Sequence, residues 1–107
     1  ESVGDIRKRA SALAGKIRRA KFAALEVSLK ESFSSAGGGS LPTERIPTVL
    51  VSIKNKIMPA SRLKTALRQA KVPVIVRVDN DEILLDLRTV TKDEFAFILE
   101  GLHQCFS

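Results

Sequence analysis

The chain has 107 residues, 44% of them hydrophobic, which fits one small packed domain and excludes wholesale disorder. One cysteine and one histidine exclude an internal disulfide and leave a conventional zinc site short of ligands; a lone Cys105 also fits a reducing compartment. The formal net charge of +6 is uneven: residues 1–30 carry eight Lys/Arg against three Asp/Glu, and residues 61–107 carry seven of each.

Residues 2–21 read as an amphipathic helix. Val3, Ile6, Ala10, Leu13, Ile17 and Ala20 recur at three- and four-residue steps and stack on one face. Arg7, Lys8, Lys16, Arg18 and Arg19 lie largely off that stripe. Such a basic face is either solvated or turned toward phosphates, and the local excess points to an anionic partner such as RNA. The basic residues near the C-terminal end also suit the helix dipole without any ligand. The chain opens without methionine and inside the helical pattern, as expected of a piece of something longer. No apolar segment of a secretory signal follows Glu1, and no apolar run approaches the roughly 18 residues of a membrane span.

Residues 24–33 alternate, with Leu25, Val27 and Leu29 on one side and Glu26, Ser28 and Lys30 on the other, the pattern of a half-buried strand. A Gly/Ser loop closed by Pro42 follows over 34–42; it lacks the helix and lysine of a phosphate-binding loop. Residues 46–55 form a second strand, with Val49, Val51 and Ile53 on one face and Pro47 near its start. Residues 59–70 form a helix, entered at Pro59 and Ser61 and striped by Leu63, Ala66, Leu67 and Ala70.

A hairpin over 73–89 comes next, turning at Asn80-Asp81. This register pairs Val78 with Ile83, Val76 with Leu85 and Val74 with Leu87, and it buries all six on one face. The other face carries Ile75, Arg77, Leu84, Asp86 and Arg88. Arg77 faces Leu84 diagonally from Asp86, so an arginine here is solvated, paired or facing an anion. The carboxylates Asp79, Asp81 and Glu82 cluster at the tip, where turn formation accounts for them. The last helix opens with a capping box, Thr91 and Glu94, and continues through Phe95, Ile98, Leu99, Leu102 and Phe106. His103 reads as a surface residue near its end.

The order α-β-β-α-β-β-α predicts an α+β two-layer sandwich: a mostly antiparallel four-stranded sheet with helices on one face. The sequence shows no nucleophile–His–Asp set, no metal-ligand cluster and no dinucleotide fingerprint. Without Tyr or Trp, and with no Phe in the hairpin strands, it does not read as an RNA-recognition motif.

The stretch PVIVRVDNDEILLDLRTV, residues 73–90, resembles the end of bacterial L-seryl-tRNA(Sec) selenium transferase, or selenocysteine synthase. The matching residues are Pro73, Val74, Ile75, Arg77 and Val78, then Leu84, Leu85, Asp86, Leu87, Arg88 and Thr89. GGGSLP, Gly37 to Pro42, and the basic helix before it extend the resemblance over nearly the whole chain. Val76 departs from the Gly or Ala usual in the family.

The resemblance implies that residues 1–107 are the single small C-terminal domain of a pyridoxal-phosphate enzyme of the aminotransferase-like fold. The catalytic domain and its Schiff-base lysine would lie before Glu1. It further implies a cytoplasmic homo-oligomer that converts serine on selenocysteine tRNA to selenocysteine with selenophosphate. On its own such a piece would be inactive and hold no cofactor. By analogy with related folds, Arg88, and less so Arg77, are candidate contacts to substrate or another anion. Arg88 paired with Asp86 is the structural alternative. Arg7, Lys8, Lys16, Arg18 and Arg19 are the candidate tRNA contacts. Two other readings stay open: the small domain of a related pyridoxal-phosphate lyase, and a free-standing RNA- or ligand-binding α+β module.

Overall fold

The computed structural model describes residues 2–35 and 45–106, so the GGGSLP motif lies outside the described residues. Helix α1 (Val3–Arg19) begins where the Ser2 hydroxyl accepts the Asp5 N–H, at 3.1 Å. Ser2 is therefore the N-cap of the helix. Ile6, Ala10, Leu13, Ala14 and Ile17 are buried; Ala14 joins the expected stripe, and Ala20 becomes the C-cap. Lys21 then takes a positive φ of 56° and turns the chain toward the sheet.

Strand β1 (Leu25–Ser35) pairs antiparallel with β2 (Arg45–Asn55), and β2 pairs with β4 (Glu82–Asp86), which pairs with the short β3 (Arg77–Asp79). The four-stranded sheet has the order β1-β2-β4-β3 and is antiparallel throughout. Val49, Val51 and Ile53 on β2 and Ile83 and Leu85 on β4, with Leu87 just beyond, face the helices. They pack with the apolar stripe of α1, with Leu63 and Leu67 of α2 (Ala60–Gln69), and with Ile98 and Leu102 of α3 (Phe95–Phe106). This is the expected α+β sandwich. A single 3₁₀ turn (Lys92–Glu94) leads into α3, and Glu94 reaches back to the Thr91 N–H at 2.8 Å, as the capping box requires.

The hairpin is shorter than its aliphatic pattern implies. Val78 does pair with Ile83, across a two-residue turn whose Asn80 and Asp81 have φ of 49° and 60°. The pairings of Val76 with Leu85 and Val74 with Leu87 do not form a ladder, because β3 begins only at Arg77. Two causes are visible. Pro73 has no N–H to donate, and β4 ends in a turn in which the Thr89 N–H donates to Asp86 O at 3.0 Å. Val76 is still buried and Val74 half-buried, but Val78 is exposed, so the six residues do not bury together.

The tip carboxylates do more than form a turn. Asp81 Oδ1 accepts the Ala60 N–H at 2.8 Å and caps α2, whose own N-cap residue, Pro59, makes no side-chain cap bond. Glu82 accepts from Lys30 Nζ at 2.6 Å and Ser52 Oγ at 2.8 Å, tying β4 to the two strands beyond it.

Candidate functional site

The sheet face turned away from the helices holds the polar residues of each strand. Register places Lys30 beside Leu50 and Leu50 beside Asp86, and it places Ser52 beside Leu84 and Leu84 beside Arg77. Lys30, Leu50, Arg77, Asp79, Glu82 and Leu84 line a groove of about 420 Å³ on this face. Its floor is aliphatic and its rim charged. The hydrogen bonds from Lys30 and Ser52 hold the Glu82 carboxyl below its ordinary value. Arg77 is exposed and, among the described residues, makes no hydrogen bond or ion pair. It stands across from Leu84 as expected, and the diagonal contact with Asp86 is not made.

Arg88 emerges just past the end of β4. Its expected pairing with Asp86 takes a different form. The Asp86 carboxylate accepts the backbone N–H of Arg88 at 3.0 Å and the Thr48 hydroxyl at 2.5 Å. The Arg88 guanidinium donates instead to the main-chain carbonyl of Pro47, and its Nε is buried with no hydrogen-bond partner. A carbonyl holds the fork in place without neutralising its charge. Asp86 thus fixes the backbone from which Arg88 projects and leaves the cation available.

Around the sheet end lies a second cation. Arg9 of α1 donates through Nε to Leu87 O at 3.1 Å and to Val90 O at 2.8 Å, clasping the turn that carries Arg88. Arg9 was not among the sequence candidates. Its spacing marks it as one more solvent-side residue of a basic helix, and only the packing of α1 on the sheet brings it to this turn.

The basic face of α1 divides in two. Arg7 is ion-paired with Glu31, and Arg18 donates to Val27 O at 2.8 Å, so both lie against β1. Lys8, Lys16 and Arg19 are exposed and make no hydrogen bond or ion pair among the described residues. Helical rise spreads these three over about 16 Å. His103 is exposed and packs on Phe22, with ring centroids 4.8 Å apart. Burial pushes the Cys105 thiol up, which disfavours its thiolate. Among the described residues no group of three or more His, Cys, Asp or Glu could hold a metal, and no helix is long and apolar enough to cross a membrane.

These features define a small α+β domain that offers free guanidinium and ammonium groups on a sheet face and a helix face. Comparison with known proteins gives the family. A profile described as L-seryl-tRNA selenium transferase matches residues 1–91. The L-seryl-tRNA(Sec) selenium transferase of Alkaliphilus metalliredigens is 37% identical over 102 residues, 95% of this chain and 22% of the relative. The protein of the same name from Geotalea uraniireducens is likewise 37% identical over 102 residues, again 95% of this chain and 22% of the relative. The one from Clostridium botulinum strain Hall is 43% identical over 72 residues, 67% of this chain and 16% of the relative. The chain belongs to the L-seryl-tRNA selenium transferase family, and it spans about a fifth of the length of the curated relatives it matches.

Proposed function

We propose that the chain is the C-terminal domain of an enzyme that converts seryl-tRNA(Sec) to selenocysteinyl-tRNA(Sec) with selenophosphate. The family match over residues 1–91 carries this reading. It favours the selenium transferase over a related lyase and over a free-standing binding module.

The family chemistry uses pyridoxal phosphate as an electron sink. The described residues do not fit that cofactor by themselves. A Schiff-base lysine needs an enclosed site, whereas every lysine described is exposed except the half-exposed Lys64. No step through the cofactor is therefore assigned to this chain. The cofactor and its lysine belong to the remaining four-fifths of the enzyme, which works as a cytoplasmic homo-oligomer.

The domain's own contribution is binding and orientation. Arg88 offers a guanidinium fork held by the Pro47 carbonyl, suited to two charge-assisted hydrogen bonds with a planar carboxylate or a phosphate. The serine carboxyl is esterified to tRNA during the reaction, so the anion Arg88 meets is a phosphate. Arg77 lines the neighbouring groove as a secondary contact. Lys8, Lys16 and Arg19 are the outward tRNA contacts, with Arg7 and Arg18 at their flank.

The test is the conversion reaction with the intact protein, seryl-tRNA(Sec) and selenophosphate. Selenocysteinyl-tRNA is the expected product, and its absence with a folded, cofactor-loaded protein overturns the reading. In the same protein, replacing Lys8, Lys16 and Arg19 with alanine lowers the slope of log affinity against log salt by about 2–3 if all three meet phosphates. An unchanged slope removes them from the interface.

A further inference from the structure

We propose that a cleft beside α2 receives the outer face of α3 from a second copy of this chain. The cleft, of about 260 Å³, lies between α2 and the segment that leads into β3. Leu67, Val72, Val74 and Ile75 give it an aliphatic lining, and Lys64 and Arg68 add two cations one helical turn apart. The lining holds no carboxylate, and α2 has no Asp or Glu along its length. Among the described residues neither cation makes a hydrogen bond or ion pair. Ile75 is 80% exposed, so this aliphatic surface is open to water.

The complement stands elsewhere on the same chain. Phe97 of α3 is 52% exposed and makes no ring contact among the described residues. Asp93 lies four residues before it, in the 3₁₀ turn, and Glu100 three residues after it, so all three share one side of the helix. Both carboxylates are exposed, and among the described residues neither makes a hydrogen bond or ion pair. A phenyl ring between two carboxylates thus faces outward on one part of the surface, and an aliphatic cleft beside two cations on another. Within one chain the two do not meet. Helix α3 turns Gly101 to α2, where a Cβ would fall 2.8 Å from Val72 Cγ2, and no residue of α3 lines the cleft.

This match favours a protein face over a nucleic acid. RNA would answer the two cations and leave Val74 and Ile75 in water, whereas Phe97 covers them while Asp93 and Glu100 reach Lys64 and Arg68. By helical rise the carboxylates lie on the order of 10 Å apart and the cations about 6 Å apart, a gap that the long Lys and Arg stems span. Because the two faces differ, the contact is head-to-tail: each copy offers its cleft to one neighbour and its α3 face to another. Nothing in this contact depends on the reaction the enzyme performs.

A carbodiimide, which joins an amine directly to a touching carboxylate, tests the contact in the intact protein without any substitution. The sample is assembled from ¹⁴N- and ¹⁵N-labelled chains, and the coupled peptides are read by mass spectrometry. Peptides joining Lys64 to Asp93 or Glu100 are expected, and mixed-isotope pairs among them show that the link runs between copies. Phe97→Ala and Arg68→Glu should each lower their yield several-fold, since one removes the ring and the other sets like charges together. Adding Glu100→Lys to Arg68→Glu should restore it through Lys64 and Asp93. The absence of mixed-isotope links, or a yield that neither Phe97→Ala nor Arg68→Glu moves, overturns the contact. Should the cleft take RNA, the link is missing, and Lys64→Ala with Arg68→Ala lowers the slope of log tRNA affinity against log salt by about two. Should it take another part of the same chain, Lys64 couples to a carboxylate outside residues 1–107 in unmixed pairs. Either of those results also overturns it.

Discussion

Removing the Asp86 carboxylate tests how the Arg88 turn is built. Asp86 accepts the Thr48 hydroxyl at 2.5 Å and the Arg88 N–H at 3.0 Å. Hydrogen bonds to an ionised group contribute about 1.5–3 kcal/mol each, and the half-exposed position of Asp86 puts both at the low end, about 3 kcal/mol together. Thr48 is 1% exposed, so water cannot replace the lost acceptor. Its orphaned hydroxyl then adds about 1 kcal/mol or more to the cost of Asp86→Ala. Thr48→Val deletes that hydroxyl and should reduce the penalty of Asp86→Ala measured in its background. Urea unfolding of wild type, both single variants and the double variant gives the coupling, expected at about 1–2 kcal/mol. Additivity within about 0.5 kcal/mol would refute the bond as a determinant of the turn.

Three further outcomes follow from the same geometry. Asp81→Ala removes the cap of α2 supplied from the hairpin and should cost about 1 kcal/mol in thermal or urea unfolding, whereas Asp79→Ala should cost little. Glu82 is held below its ordinary value of 4.5 by Lys30 and Ser52, so its stabilisation is complete above that value. It is lost as pH falls through the lowered one. Stability measured across the acid range should therefore fall less steeply for Glu82→Gln than for wild type, and identical slopes would contradict the assignment. A Cβ at Gly101 would lie 2.8 Å from Val72 Cγ2 and 3.0 Å from Leu67 Cδ2, whereas at Gly15 the closest atom is Arg19 Nη1 at 3.6 Å. Gly15→Ala should thus gain up to about 1 kcal/mol from helix propensity. Gly101→Ala should lose about 1 kcal/mol net, as overpacking exceeds the same gain.

What was legible in the sequence follows from periodicity. The α1 stripe, the alternation of β1 and β2 and the Thr91–Glu94 box are local signals, and each element forms within a residue or two of its predicted bounds. The paired length of the hairpin was not legible. Val74 and Val76 have the right spacing for a strand, but β4 turns away after Asp86 and Pro73 has no N–H to give. Nor could the sequence foretell that Asp81 would cap a helix 21 residues away. At the site, the motif singled out Arg88 and Arg77; β3–β4 register puts Arg77 across from Leu84, and Arg88 follows just past the end of β4. The partners escaped. Asp86 and Arg88 looked like an ion pair because they alternate on one strand, yet the strand ends at Asp86 and the carboxylate bonds the backbone instead. Arg9 and Lys92 join Arg88 only through the docking of α1 and the turn before α3, contacts that spacing within one segment cannot express.

The guanidinium of Arg88, freed of Asp86 and presented at the sheet end, is the claim on which the proposed substrate contact turns. The direct measurement is single-turnover formation of selenocysteinyl-tRNA(Sec) by the intact protein, wild type against Arg88→Ala and Arg88→Lys, with unfolding midpoints taken alongside. A loss of tenfold or more in both variants, with midpoints close to wild type, is the expected result. Full turnover in Arg88→Ala at unchanged stability would contradict it.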